Sequence, residues 1–314
     1  MLNCTSCTSC DLAAQWKVYA LAFEILVCAC GVSGSTVCLW CLKNCDKTQA
    51  GTKIQLCLLF AVNAFLCSLA MPGTAVIELL FLQARRAERA TEMTFVALYY
   101  MAACMEQMAL TVIAVYRMTA VCFPLKYKLW SRSTVVVAVE VVVALLVVLT
   151  LTLAFQFQDC EMVISTKSTV GQVLYGVLYL VSIIITQTAY CTMVFIMGFR
   201  RCARRGAEAR DPGWDQISLS LCVLILMNLL LDVPHITMHL MSVNWTEPSF
   251  VIVHAIYRLH FALDPVVFVG LNQRYRQKAL QRAFSLVPGR RLPSASMAVS
   301  RSLERITAVP VSVS

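Results

Sequence analysis

Charged side chains occur inside apolar stretches of this sequence. Glu24, Glu106, Asp232, Arg258 and Asp264 are each flanked on both sides by mostly apolar residues. A charge is costly in an apolar surrounding, so such residues usually pair with one another or mark a functional site. The chemistry open to these side chains is therefore ion pairing and the binding of ions or of charged groups on a ligand.

Catalytic motifs are not found in the sequence. It contains no HExxH metalloprotease motif, no GxSxG nucleophile motif and no glycine-rich phosphate-binding loop. The four histidines and the scattered acids lie at helical spacing instead. We therefore expect a protein that binds rather than an enzyme.

The charged residues must be positioned by membrane-spanning helices. Of the 314 residues, 59% are hydrophobic and 14% are charged, with a mean hydropathy of +0.73, which is outside the range of water-soluble domains. Crossing a bilayer takes about 20 helical residues, and continuous apolar runs favour helices over the alternating strands of a barrel. Seven such runs are present: 17–42, 54–82, 94–122, 134–156, 171–199, 217–243 and 249–271. We predict an all-α membrane protein, a seven-transmembrane helix bundle.

The distribution of Lys and Arg predicts the orientation of this bundle. Most of the 26 lie in segments on the same side as the C-terminus, and loops rich in these residues remain in the cytoplasm. We predict an extracellular N-terminus (1–16), a seven-transmembrane domain (17–271) and a location in the plasma membrane. Apolar side chains at helical spacing predict a short amphipathic eighth helix on the membrane surface (272–286), followed by a disordered cytoplasmic tail (287–314). The net charge of +9 is explained by this topology and by contact with anionic membrane lipids, not by nucleic-acid binding.

The predicted extracellular segments contain sites for covalent modification. Asn3 and Asn244 lie in N-glycosylation sequons. In an oxidising exterior, four cysteines could pair, with the connectivity left open. They are Cys4, Cys7, Cys10 and Cys160. A metal site formed by the CxxCxxC pattern at the N-terminus is the alternative.

Two motifs carry a resemblance to a known family. The third apolar run ends in YRMTAVCFPLKY, and the seventh contains DPVVF. With seven runs in this order, the sequence resembles a rhodopsin-like (class A) G-protein-coupled receptor of a divergent orphan or chemosensory type. The resemblance implies that a heterotrimeric G protein couples to Arg117, Tyr116, Pro124, Leu125 and Tyr190. It also implies an activation switch formed by Asp264, Pro265, Phe268, Pro234 and Asp232.

Two departures from the family pattern have consequences. Tyr116 stands where relatives carry an acid that restrains the neighbouring arginine, so we expect raised basal activity. Glu92 stands where the family has a cysteine at the outer end of the third span. Cys160 would then lack its usual partner, and we hypothesise that it bonds to one of the N-terminal cysteines.

The resemblance also suggests where a ligand would bind. Arg258 occupies the position at which light-sensing relatives carry a lysine, and a guanidinium cannot form their Schiff base. One hypothesis is a structural ion pair between Arg258 and Asp232 or Glu106. The other is a pocket that receives an anionic ligand group. The residues of this pocket are Tyr99, His235, His239, His254 and Arg258.

The family binds sodium deeper in the bundle, and part of that site is matched here. Asn63 replaces the usual acid, whereas Glu106 and Asp264 would bring carboxylates to the same cavity, which suits a hard cation. We therefore predict a sodium ion at these residues and no other cofactor. The alternative is that either acid is protonated or paired with Arg258. The alternative functions are an odorant receptor of the same fold and a seven-helix scaffold or transporter that does not signal.

Overall fold

The computed structural model describes residues 7–45, 48–83, 87–156, 176–203, 216–241, 243 and 247–285. This part of the chain is helical, and seven of its helices are long and apolar enough to cross a membrane. We number these spans 1 to 7: Gln15–Lys43, Ala50–Leu80, Arg89–Cys122, Ser133–Leu153, Val177–Phe199, Ile217–Leu240 and Pro248–Leu271. The predicted seven-helix bundle is confirmed, and the chain is a multi-pass membrane protein.

Several predicted sites fall outside the described residues. They are Asn3, Asn244, Cys4, Cys160 and the tail from 287. The helix that contains span 1 begins at Cys7, before the predicted boundary at residue 17. The backbone at Cys7 and Cys10 is therefore helical.

Three of the spans contain a proline away from their ends. Span 2 consists of helices Ala50–Phe65 and Met71–Leu82, joined by a π-helical turn, Leu66–Ala70, directly before Pro72. A proline has no N–H to donate to the preceding turn, and irregular turns absorb this loss. The helix of span 6, Gln216–Leu240, contains Pro234.

Span 7 is divided at Leu259 into helices Pro248–Arg258 and His260–Leu271. Pro265 lies inside the second helix, so it cannot donate to the carbonyl of Phe261 four residues earlier. The side-chain amide of Asn63 in span 2 donates to this carbonyl at 2.9 Å. This hydrogen bond satisfies a buried acceptor that the proline leaves open.

The remaining helices complete the bundle. Span 3 is the helix Arg89–Cys122, span 4 lies in Ser133–Gln156, and span 5 is a π-helical turn, Gly176–Leu180, followed by Val181–Ala203. Span 3 packs against spans 2, 4 and 5, while span 1 packs against spans 2 and 7, and span 6 against spans 5 and 7. Large apolar side chains on the outside of span 4, such as Val141 and Leu145, are exposed, as expected of a surface that faces lipid.

We call the end of the bundle at Lys43, Cys122 and Leu271 the basic end. A short helix, Pro124–Trp130, lies there between spans 3 and 4. A helix is also present at this end where the surface helix was predicted, at Gln273–Ser285, and we call it the surface helix.

The side chain of Asn272 caps the surface helix, because its Oδ1 accepts hydrogen bonds from the backbone N–H groups of Arg274 and Tyr275 at 3.2 and 3.4 Å. Tyr275 is buried, and its hydroxyl lies 2.7 Å from that of Thr48. These contacts attach the helix to the start of span 2. The ammonium group of Lys278 donates to the carbonyl of Asn44, and this hydrogen bond attaches the surface helix to the end of span 1.

Candidate functional site

The basic end contains the residues that the family resemblance assigned to G-protein coupling. Arg117 is half-buried near the end of span 3 and interacts electrostatically with Tyr190 of span 5. Tyr190 is buried in an apolar cluster with Met193 of span 5 and Leu221 of span 6. Arg117 therefore stands beside the interface of spans 3, 5 and 6.

Tyr116 faces a different part of this end. It interacts electrostatically with the buried Glu140 of span 4 and with Tyr127 of the short helix. The hydroxyl of Tyr127 donates to Gln49 Oε1 at 2.9 Å, and Gln49 Nε2 donates to Ser131 Oγ at 2.8 Å. This network attaches the connection between spans 3 and 4 to the start of span 2.

Pro124 and Leu125 begin the short helix, and Leu125 is 88% exposed. The neighbouring Phe123 is 56% exposed. Both apolar side chains lie at the basic end, after the last residue of span 3 and before the first residue of span 4. This pair is therefore available to a protein partner.

The Asp264-Pro265-x-x-Phe268 motif connects the centre of the bundle with the basic end. Asp264 accepts a hydrogen bond from Asn228 Nδ2 of span 6 at 3.2 Å. The ring of Phe268 lies 5.1 Å from that of Phe60 and 5.3 Å from that of Tyr275, measured between centroids. All three rings are fully buried. A displacement of span 7 would therefore be transmitted to the surface helix.

An ionisable cluster lies at the centre of the bundle, around His260. The Nε2 atom of this histidine lies 3.7 Å from a carboxylate oxygen of Glu106, and Asp232 and Asp264 are within electrostatic reach. All four side chains are buried. Three carboxyl groups thus surround one imidazole in the interior of the bundle.

Three oxygen atoms in this region are of the kind that a sodium ion binds. Glu106 Oε1, Asp264 Oδ1 and Asn228 Oδ1 are buried without a hydrogen-bond partner among the described residues. Asn63 differs, because its amide donates to Phe261 and its oxygen lies 3.4 Å from the Cys67 sulfur, a possible donor. The side-chain oxygen available to an ion, besides those of Glu106 and Asp264, is therefore that of Asn228 and not that of Asn63.

Arg258 is paired with Glu24 of span 1, not with Asp232 or Glu106 as the ion-pair hypothesis proposed. Glu78 of span 2 is a second, weaker partner at 3.9 Å. The ring of Tyr99 lies 5.6 Å from the guanidinium carbon. The hypothesis of a structural pair thus had the wrong partner, because Asp232 and Glu106 lie beside His260.

Three histidines meet between spans 6 and 7, toward the end opposite the basic end. His239 Nε2 lies 3.2 Å from His235 Nε2 and 2.9 Å from His254 Nε2. His235 and His239 are buried, and His254 is half-buried. Arg258 is within electrostatic reach of His235 and His254. The predicted pocket residues are therefore close together.

No family model matches the chain, and no curated protein does either.

Sequence reasoning did not identify His260 or Asn228 as site residues. One signal for His260 was present, because it lies four residues before Asp264 and so on the same helical face. The only sequence signal for Asn228 is that an amide side chain stands inside an apolar run. The role of Asn228 depends on its hydrogen bond with Asp264 of span 7.

Proposed function

We propose that this protein is a rhodopsin-like G-protein-coupled receptor of the plasma membrane, with its N-terminus outside the cell and its basic end in the cytoplasm. The observation that carries the proposal is the position of Arg117 next to Tyr190, at the interface of spans 3, 5 and 6. A cation costs several kcal/mol in lipid, so it is retained where it faces a partner or a polar crevice. A segment of a heterotrimeric G protein is the partner that this arrangement suits.

The exposed apolar pair at the basic end supports the same partner. Phe123 and Leu125 flank Pro124 and are held next to span 2 by the hydrogen bonds of Tyr127 and Gln49. A small apolar surface on a rigid support is a common docking feature. We propose that this pair packs against the G protein while Arg117 contacts its inserted segment.

The contacts of span 7 support a path for the signal. Pro234 and Pro265 lie in spans 6 and 7, which are joined by the Asn228–Asp264 hydrogen bond. Phe268 continues the path to Tyr275. We propose that ligand binding alters the contact between spans 6 and 7, and that this change opens the crevice beside Arg117.

The ligand would enter from the end opposite the basic end. Tyr99, Arg258 and the three histidines lie there, and their polar groups suit an anionic ligand group. Glu24 already neutralises Arg258, so the histidines are the more available contact. An odorant-type receptor would have the same arrangement.

Recruitment of a G protein in cells tests the proposal. The wild-type chain and the Arg117→Ala variant would be compared at equal surface expression with a panel of G-protein sensors. We expect the variant to lose both basal and ligand-stimulated coupling. Arg132→Ala is the matched control, because Arg132 is an exposed arginine at the same end, and it should couple as the wild type does.

Two results would contradict the proposal. A wild-type chain that engages no G protein in the whole panel would favour the scaffold or transporter function. Epitope tags that place both termini in the same compartment would overturn the topology.

A further inference from the structure

We propose that His235, His239 and His254 form a binding site for a divalent transition-metal ion, with zinc as the natural occupant. Each histidine offers one ring nitrogen, and the three ligand atoms all lie within 4.8 Å of one another. The site would connect span 6 to span 7 near the end opposite the basic end.

The distances between the nitrogen atoms fit a metal site. In a tetrahedral zinc site the metal–nitrogen distance is about 2.0–2.1 Å, which places two nitrogen ligands roughly 3.3 Å apart. The observed separations of 3.2 and 2.9 Å from His239 Nε2 are close to this value. The third separation, between the ligand nitrogens of His235 and His254, is at most 4.8 Å, so these two side chains would move closer together around an ion.

Helical spacing and ring packing position the three imidazoles. His235 and His239 are four residues apart in span 6, so their side chains lie on one face of the helix. The ring of His235 stacks on Tyr257 with centroids 3.8 Å apart, and that of His254 stacks on Phe250 at the same distance. These aromatic contacts restrict the rotation of two of the ligands before any ion binds.

The second ring nitrogen of His254, Nδ1, forms a hydrogen bond with the backbone. His254 Nδ1 lies 2.8 Å from the carbonyl oxygen of Phe250, so Nδ1 carries the hydrogen and donates it. In the neutral ring this leaves a lone pair on Nε2, directed at His239. Metal-binding histidines usually donate their other N–H in this way, which fixes the tautomer of the ligand.

A cation satisfies the cluster better than hydrogen bonds do. The Nε2 atom of His239 has at most one hydrogen to offer, yet it faces two other ring nitrogens. A metal ion accepts lone pairs from all three nitrogens at once. The arrangement therefore favours a bound metal over three neutral imidazoles alone.

The ligand set selects the kind of metal. Neutral imidazoles suit zinc, copper and nickel, whereas calcium and magnesium require oxygen ligands. Three histidines leave the fourth position of a tetrahedral zinc ion for water or for an anionic group of another molecule. The nearby Arg258 is paired with Glu24, which reduces its repulsion of the ion.

Thermal unfolding of the purified full-length protein tests this site. We expect Zn²⁺ to raise Tm, and Ca²⁺ or Mg²⁺ to have no effect at the same concentration. Replacing His239 by Asn or His254 by Gln should weaken zinc binding at least tenfold. The matched control is Thr237→Ala, an exposed residue between His235 and His239, and it should bind zinc as the wild type does.

The N-terminal cysteines require their own control, because thiolates also bind zinc. A variant with Cys4, Cys7 and Cys10 replaced by serine should retain the effect of zinc. Cobalt(II) distinguishes the ligands by its spectrum. We expect d–d bands without a sulfur-to-cobalt charge-transfer band.

A measurement on the wild type avoids variants that fail to fold. Zinc should protect histidines from diethylpyrocarbonate, as mapped by peptide mass spectrometry. The proposal is overturned if zinc neither raises Tm nor protects His239 and His254. It is also overturned if the effect of zinc survives in both histidine variants or disappears in the cysteine variant. None of these readouts depends on signalling, so the metal site and the G-protein proposal are tested separately.

Discussion

The guanidinium of Arg258 in span 7 forms an ion pair with the carboxylate of Glu24 in span 1. The two side chains are 14% and 3% exposed, and they are far apart in sequence but adjacent in the bundle. Spans 1 and 7 close the ring of helices, so this pair holds together the first and last spans of the chain.

Removing one member of this pair should destabilise the protein. Arg258→Gln leaves the buried Glu24 without its partner, and Glu24→Gln leaves Arg258 with only the exposed Glu78 at 3.9 Å. Loss of one member of a buried pair typically costs about 3–5 kcal/mol. We expect a lower Tm and reduced surface expression for each single variant, and a smaller combined loss in the double variant because the two sites are coupled. Thermal unfolding and surface staining would measure this.

Glu78→Gln is the matched control for that experiment. Glu78 lies 3.9 Å from Arg258 and its side chain is 53% exposed, so the loss should be below about 1 kcal/mol. If Arg258→Gln left stability unchanged but abolished the response to a ligand, Arg258 would be a ligand contact instead.

Replacing His260 should make the protein depend on sodium. The His260→Asn variant removes the imidazole beside Glu106, while the buried oxygens of Glu106, Asp264 and Asn228 remain. Sodium at ten times its Kd would stabilise the folded state by about 1.4 kcal/mol, or roughly 3–6 °C in Tm. We expect NaCl to raise Tm more in the variant than in the wild type.

Two controls show whether the rise in Tm comes from sodium bound at these oxygens. Choline chloride at equal ionic strength should not reproduce the rise, and adding Asp264→Asn should remove it. An equal response to NaCl in the wild type and both variants would argue against an ion site here.

Introducing an acid at position 116 should reduce basal signalling. An aspartate next to Arg117 can form a charge-assisted hydrogen bond worth about 1.5–3 kcal/mol, which shifts a two-state population roughly 10- to 100-fold. Because Tyr116 faces Glu140, Tyr116→Asp should be made together with Glu140→Gln to avoid repulsion. Ligand-free coupling of this double variant would be compared with that of Glu140→Gln alone.

Tyr116→Phe, made together with Glu140→Gln, is the control for this prediction. It removes the hydroxyl group of Tyr116 without adding a charge. It should leave ligand-free coupling close to that of Glu140→Gln alone. Unchanged activity in the aspartate variant would mean that Arg117 is not restrained by charge.

A methyl group at Gly51 should disturb the basic end. A Cβ atom there would lie 2.5 Å from the carbonyl oxygen of Ser131, which is backbone and cannot rotate away. Overpacking of this kind costs about 1–3 kcal/mol. We expect Gly51→Ala to lower Tm and to weaken G-protein coupling through the displaced short helix.

Gly198→Ala is the control for this prediction. Apart from its chain neighbours and the nearby backbone of its own helix, no described atom lies within 4 Å of the added Cβ. Alanine also favours a helix by up to about 1 kcal/mol over glycine. Its Tm should be equal to that of the wild type or slightly higher. Equal stability of both alanine variants would contradict the close approach of Ser131.

The number of spans and the helix at Gln273–Ser285 could both be predicted from the sequence. Both depend on local properties, namely the length of an apolar run and the spacing of apolar side chains along a helix. Arg117, Asp264 and Phe268 could likewise be selected from short motifs. The grouping of the histidines near Arg258 was also anticipated, as a ligand pocket.

Tertiary structure alone decided which buried polar groups meet. Arg258 pairs with Glu24, His260 faces Glu106, and the amide of Asn63 donates to the carbonyl that Pro265 leaves open. A spanning helix has neighbours on several sides, and its rotation and tilt select the partner of each polar side chain. These variables are set by packing among all seven spans, so no single stretch of sequence contains them.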